Sequence, residues 1–198
     1  MSKAAPCVLG IAPHCGWAAV VILGGTRAAP RVLLRERLDL LDARLDGSKQ
    51  PYHALEGRPL PEAQQRLARF VKSANALALE ALRTVTHSAR ALNGEPRAAG
   101  ILAASGRSGA TLAATLASHA LIHSADGNHF RDALERGCEA LGLAVTRVTR
   151  KELPARAGLQ LKKSPQALAA TLAMLGRELG APWGADQKSA ALLAWLLL

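Results

Sequence analysis

The stretch Val8–Gly25, VLGIAPHCGWAAVVILGG, constrains the fold of this chain more than any other. Two short apolar runs rich in β-branched residues, Val8–Ile11 and Trp17–Leu23, flank the turn residues Pro13, His14, Cys15 and Gly16. Runs of this length and composition suit buried strands. A third run, Arg31–Leu40, alternates apolar and polar residues and suits a strand with one exposed side. The chain therefore opens on a three-strand meander, and the remaining residues must pack on it.

The rest of the chain is mainly helical. Asp42–Pro61 is polar and broken by Gly and Pro, which predicts a loop inserted around 42–61, either a flap over a site or a variable connection. From Pro61 or Glu62, apolar residues at helical spacing (Leu67, Phe70, Val71, Ala74, Leu77, Ala78, Leu82) predict a helix to about Ala91, stopped by Asn93-Gly94 and Pro96. Ala98–Ala104 reads as a short buried strand. The turn Ser105-Gly106-Arg107-Ser108-Gly109 leads into a helical pattern from Ala110 to Leu141, interrupted near Ala125–Asn128 by a kink or by a break between two helices. Leu143–Val148 predicts a strand, and Thr149–Lys163 reads as basic and irregular. Ser164-Pro165 caps a helix to Leu179, since serine suits the cap and proline the first helical position. A last helix begins at Asp186. Strand–helix–strand units after a meander indicate a mixed α/β sheet flanked by helices, here in one domain spanning 1–198.

Charge narrows the class of partner. The chain carries 25 Lys and Arg against 15 Asp and Glu, a net charge of +10. Such an excess attracts polyanions, of which DNA and RNA are the commonest, although the basic residues are scattered and an even solvated surface is the competing account. No apolar stretch reaches the roughly 18 residues of a membrane span, and the N-terminus has no long apolar run before a cleavage site. Cys7, Cys15 and Cys138 have no metal-type spacing, so free thiols in a reducing cytoplasm are expected.

Several residues carry candidate chemistry. His119 and His123, at i and i+4 with Asp126 and His129 following, form a candidate zinc pair with no evident third ligand, or else polar positions on a half-exposed helix. Cys15 is a candidate nucleophile without a recognisable base, or an idle thiol. Arg107, in a glycine-flanked turn ahead of a helix, suits phosphate contact, and so do Lys162 and Lys163. Trp183 and Trp195 read as core anchors, with base stacking by Trp183 as the functional alternative.

The order of elements resembles the ribonuclease H-like fold, and within it the RuvC-type Holliday-junction resolvases. The opening VLGIAPHCGWAAVVI resembles the family's first strand and turn, Lys162-Lys163-Ser164-Pro165-Gln166 its basic connection, and Gly184–Ala191 its Asp-bearing final helix. The resemblance implies a five-stranded mixed sheet and, in family members, phosphodiester cleavage by two Mg²⁺ or Mn²⁺ ions on about four carboxylates. Such an ion pair needs several anionic oxygens to offset its own repulsion. Carried over residue by residue, the first-strand Asp falls on Ala12, the Glu ending the fourth strand on Ala103 or Ala104, and a second final-helix Asp on Ser189; Asp186 alone is retained. No cofactor is expected on that count. His14, in the turn beside the vacated position, is expected either to pair with Asp186 or to share a metal with it. The implied function is nucleic-acid binding without competent two-metal cleavage. A protein-binding scaffold and a divergent nuclease with ligands rebuilt around Asp186, His14 and Asp126 are the alternatives. The family's dimers make a homodimer a further expectation.

Overall fold

Both faces of the sheet are covered, which is why its central strands read as unbroken apolar runs. The computed structural model describes residues 4–104, 109–177 and 179–198. Its strands are β1 (Ala5–His14), β2 (Trp17–Gly25), β3 (Pro30–Asp39), β4 (Gly94–Ala103) and β5 (Ala144–Thr149). They lie in the order β3-β2-β1-β4-β5; β1, β2 and β3 pair antiparallel, and β1, β4 and β5 pair parallel. This is the expected meander extended by parallel strands.

Side chains leave the strands with period two and so feed two cores. Cys7, Leu9 and Ile11 of β1, Ala18, Val20 and Ile22 of β2, and Ala99 and Ile101 of β4 pack under α1 (Leu60–Ala91) and α3 (His119–Ala140), against Ala78, Leu82, Phe130 and Leu134. Ala12, Ala19, Val21, Leu23 and Leu102 face the other way, toward α4 (Leu153–Leu161), α5 (Pro165–Arg177) and α6 (Ala185–Leu197). Trp195 is fully buried there, and its Nε1 donates to the Arg27 carbonyl at 2.9 Å.

Three sequence expectations change. β4 begins at Gly94, earlier than the expected Ala98, because Asn93 turns the chain with φ 61° and Gly94 pairs at once with Ala5. The register shifts between Cys7 and Val8, opposite the stretch after Pro96, so the proline sits at an irregularity that tolerates its missing donor. The helix break expected at Ala125–Asn128 lies instead at Ala117-Ser118, between α2 (Leu112–Leu116) and α3. The helix runs through Asp126 because that side chain makes tertiary bonds and does not compete for its own backbone. Thr149–Lys163 is not irregular: Leu153 and Ala157 bury one face of α4, with Pro154 in its first turn. Ser164 caps α5 as expected, its Oγ accepting from the Ala167 amide at 3.2 Å.

The 42–61 segment is seated on the body of the protein. Leu55, in the short 3-10 turn His53–Leu55, packs with Ala63 and Phe70 in a third cluster that also touches Leu112 and Leu116. Cys7, Cys15 and Cys138 are free thiols.

Candidate functional site

The close approach of a helix to two glycines places the site. Gly10 of β1 and Gly100 of β4 are register partners, and both face α6. A Cβ on Gly10 would lie 1.8 Å from the Ala190 carbonyl oxygen, and one on Gly100 would lie 2.4 Å from Leu193 Cγ. With no side chains there, α6 lies directly on the parallel pair, and its first turns carry Asp186 and Ser189 to the C-terminal end of β1. That end of a parallel pair is where open α/β sheets form ligand crevices.

Cations crowd this end. Arg150, in the turn after β5, donates from one guanidinium nitrogen to Asp186 Oδ1 and from the other to Ser189 Oγ, both at 2.9 Å. His14 Nε2 approaches Asp186 Oδ2 to 3.0 Å, off the line of a hydrogen bond. The His14 ring stacks on Trp17, with centroids 4.3 Å apart and planes 5° from parallel, and the Arg37 guanidinium lies 4.2 Å from the Trp17 ring centroid. Behind them, Arg131 of α3 donates to the carbonyls of Leu102 (2.9 Å), Pro13 (3.2 Å) and Gly127, so its guanidinium plugs the gap between the ends of β1 and β4. Burial pulls the Arg131 pKa below the usual arginine range, but a guanidinium keeps its charge in proteins.

The positions that the resemblance assigns to metal ligands hold Ala12, fully buried, then Ala103 and Ala104, then Ser189, which is bonded to Arg150. Asp186 is engaged by Arg150 and His14. Among the described residues, Asp126 does not supplement it, since its carboxylate accepts from His53 Nδ1 and, at 2.7 Å, from the Tyr52 amide. One carboxylate already shared by two nitrogen bases does not fit a pair of hard divalent cations, which require several anionic oxygens.

Other candidates fall in different places. Arg107 lies outside the described residues. Lys162 is exposed and caps α4 in the left-handed conformation, with φ 51°. Lys163 is half-buried, with its Nζ 5.7 Å from the Trp195 ring centroid. Burial, with Asp126 adding to it, raises the Cys15 pKa, the wrong direction for a nucleophile. Trp183 is a packing residue: its ring fills the space over Gly176, and its Nε1 donates to the Leu172 carbonyl at 2.8 Å. Sequence reasoning missed Arg150, Arg131 and His53. Arg150 sits where the chain reads as merely basic, and the strand-end carbonyls that Arg131 binds and the Asp126 that His53 binds lie far off in sequence.

The whole arrangement of strands and helices is similar to that of Thermus thermophilus RuvC, with a TM-score of 0.52 at 15% identity over 96% of this chain and 91% of that one. It is equally similar to T. thermophilus RuvC in complex with Holliday junction substrate, with a TM-score of 0.51 at 16% identity over 96% and 90% of the two chains. The chain has a RuvC-like ribonuclease H fold. At this identity the likeness is one of fold. No protein-family model and no curated protein sequence matches the chain.

Proposed function

We propose that this RuvC-like protein binds nucleic acid, DNA junctions or other structured DNA first among them, without two-metal phosphodiester cleavage. The observation that carries the reading is the Arg150 guanidinium bridging Asp186 and Ser189. In the resolvases that this fold resembles, divalent ions meet the phosphate at this end of the sheet. Here a fixed organic cation occupies the corresponding place. A guanidinium has five N–H donors in a planar fork suited to phosphate oxygens, and Asp186 and Ser189 engage two of them. Arg150 is half exposed, and exposed Lys162 comes one helix later, so both can reach a backbone phosphate. The net charge of +10 supplies the longer-range attraction.

The test is fluorescence anisotropy with a labelled four-way junction and a duplex of equal length. Binding is expected to weaken steeply as salt rises, since each phosphate neutralised releases counterions. Arg150→Ala is expected to lose about fivefold in affinity, roughly one charge-assisted contact. The junction should remain uncut in Mg²⁺ or Mn²⁺. Undetectable binding at low salt would remove the nucleic-acid reading, and cleavage abolished by Asp186→Asn would restore the nuclease.

A further inference from the structure

Away from the Arg150 centre, the seated 42–61 segment and the first turns of α3 bring three imidazoles together. His53, His119 and His123 each offer a ring nitrogen within 4.8 Å of the other two. His119 Nε2 and His123 Nε2 are 3.0 Å apart, one helical turn from each other. The rings meet edge to face, with centroids of 5.4 Å for His53–His119, 4.5 Å for His53–His123 and 4.5 Å for His119–His123. Such packing does little for stability at a partly exposed position. It does, however, bring three ring nitrogens within reach of a single ion.

We propose that His53, His119 and His123 form a zinc-type transition-metal site, with Asp126 as the carboxylate that holds His53 from behind. Imidazole ligands suit zinc, cobalt and nickel, and do not suit magnesium, which takes oxygen ligands. A Zn–N bond of about 2.0–2.1 Å places ligating nitrogens about 3.4 Å apart. The His119–His123 pair is already close to that spacing, and both side chains are exposed enough to rotate inward.

The strongest support lies outside the ligand set. Asp126 is only 3% exposed and would be costly to bury as a bare carboxylate. It accepts from His53 Nδ1 and from the Tyr52 amide, which leaves the lone pair of His53 Nε2 free to bind a metal. A carboxylate bonded to the second nitrogen of a ligating histidine fixes its tautomer and raises its basicity. Three protein nitrogens leave a fourth position open on the exposed side, as in sites where zinc keeps a water. Bound metal would pin the 42–61 segment to α3. The site shares no residue with the Arg150 centre and stands independently of the nucleic-acid reading.

The full chain, stripped with a chelator, is titrated with Zn²⁺ against a chromophoric competitor and separately with Co²⁺. One equivalent per chain is expected, with visible d–d bands of low-coordinate Co²⁺ that excess Mg²⁺ does not displace. His119→Ala with His123→Ala should remove the bands and weaken Zn²⁺ binding by about 100-fold or more, whereas His87→Ala, on the exposed side of α1, should change neither. Asp126→Asn should keep the stoichiometry and lose about 10- to 100-fold in affinity. Because these changes touch a packed segment, His123→Gln on the exposed ring is the conservative variant, checked for unchanged circular dichroism. Failure of the parent chain to take up one equivalent would overturn the proposal. So would full affinity in the His119/His123 double variant or in folded His123→Gln.

Discussion

Asp186 decides what kind of centre this is, because two accounts assign it opposite jobs. As a metal ligand it would supply charge that draws cations in. In the geometry found here it neutralises Arg150 at 2.9 Å and touches His14 at 3.0 Å, so it restrains a cation already present. Asp186→Asn is therefore expected to strengthen binding of duplex DNA by about fivefold, the effect of releasing one partly exposed charge near a phosphate site. Loss of a favourable first-turn carboxylate on α6 costs about 0.3–1 kcal/mol of stability, so affinity is compared at a temperature where both proteins are folded. Weaker binding by the variant would count against the guanidinium account. That Ala12 and Ser189 offer no carboxylate was legible in the sequence whatever the fold. The partners of Asp186 were not. Arg150 is 36 residues from Asp186, and Arg131 reaches Pro13 across 118. No local pattern marks such partners among 25 basic residues.

At the scale of elements, the parallel pair β1–β4 and its covering helix α6 form the joint on which the site depends. The meander and the helix after it were readable because their periods, two and 3.6, are set by which faces are buried. The α3 break was misplaced because Asp126-Gly127 carries local turn chemistry that tertiary bonds to His53 and Tyr52 override, while the true break at Ala117-Ser118 has no Gly or Pro. The glycines of the joint make a sharper statement. Gly10→Ala would drive a methyl into the Ala190 carbonyl, a backbone atom that cannot step aside. It is expected to cost about 3 kcal/mol or more by denaturant unfolding, the upper range for overpacking. Gly100→Ala meets the branch carbon of Leu193, a buried side chain that must shift but can move more readily than backbone, and should cost less, about 2 kcal/mol. Equal losses for the two would mean that α6 is not held against β1 by its backbone.

Two properties belong to the whole molecule, its exposed apolar residues and its response to acid. The exposed large apolar side chains among the described residues are Leu41, Leu60, Leu92, Leu159 and Met174. Leu60 starts α1 and Leu92 comes just after its end, about 48 Å apart at 1.5 Å per residue. Among the described residues, no helix is long and apolar enough to cross a membrane. The second property is the response to acid. Burial lowers the pKa of His129, against smaller opposing effects from Asp126 and Asp132 and a reinforcing one from Arg136. Its Nε2 is buried without a hydrogen-bond partner, near Tyr52 and Phe130. The unfolded chain therefore takes up this proton near pH 6.5, before the folded protein does. Between the lowered native value and about 6.5 the unfolded state holds more protons, so stability rises with pH there. His129's neutral form thus contributes stability that is fully present above about pH 6.5 and is lost as the solution is acidified. Six histidines on a chain already at +10 add self-repulsion in the same direction. Melting temperatures measured from pH 5 to 8 with a chelator present, which removes any metal linkage from His53, His119 and His123, should fall below about 6.5. His129→Gln should flatten that fall while leaving the general charge repulsion in place. An unchanged slope in the variant would assign the acid sensitivity to net charge alone.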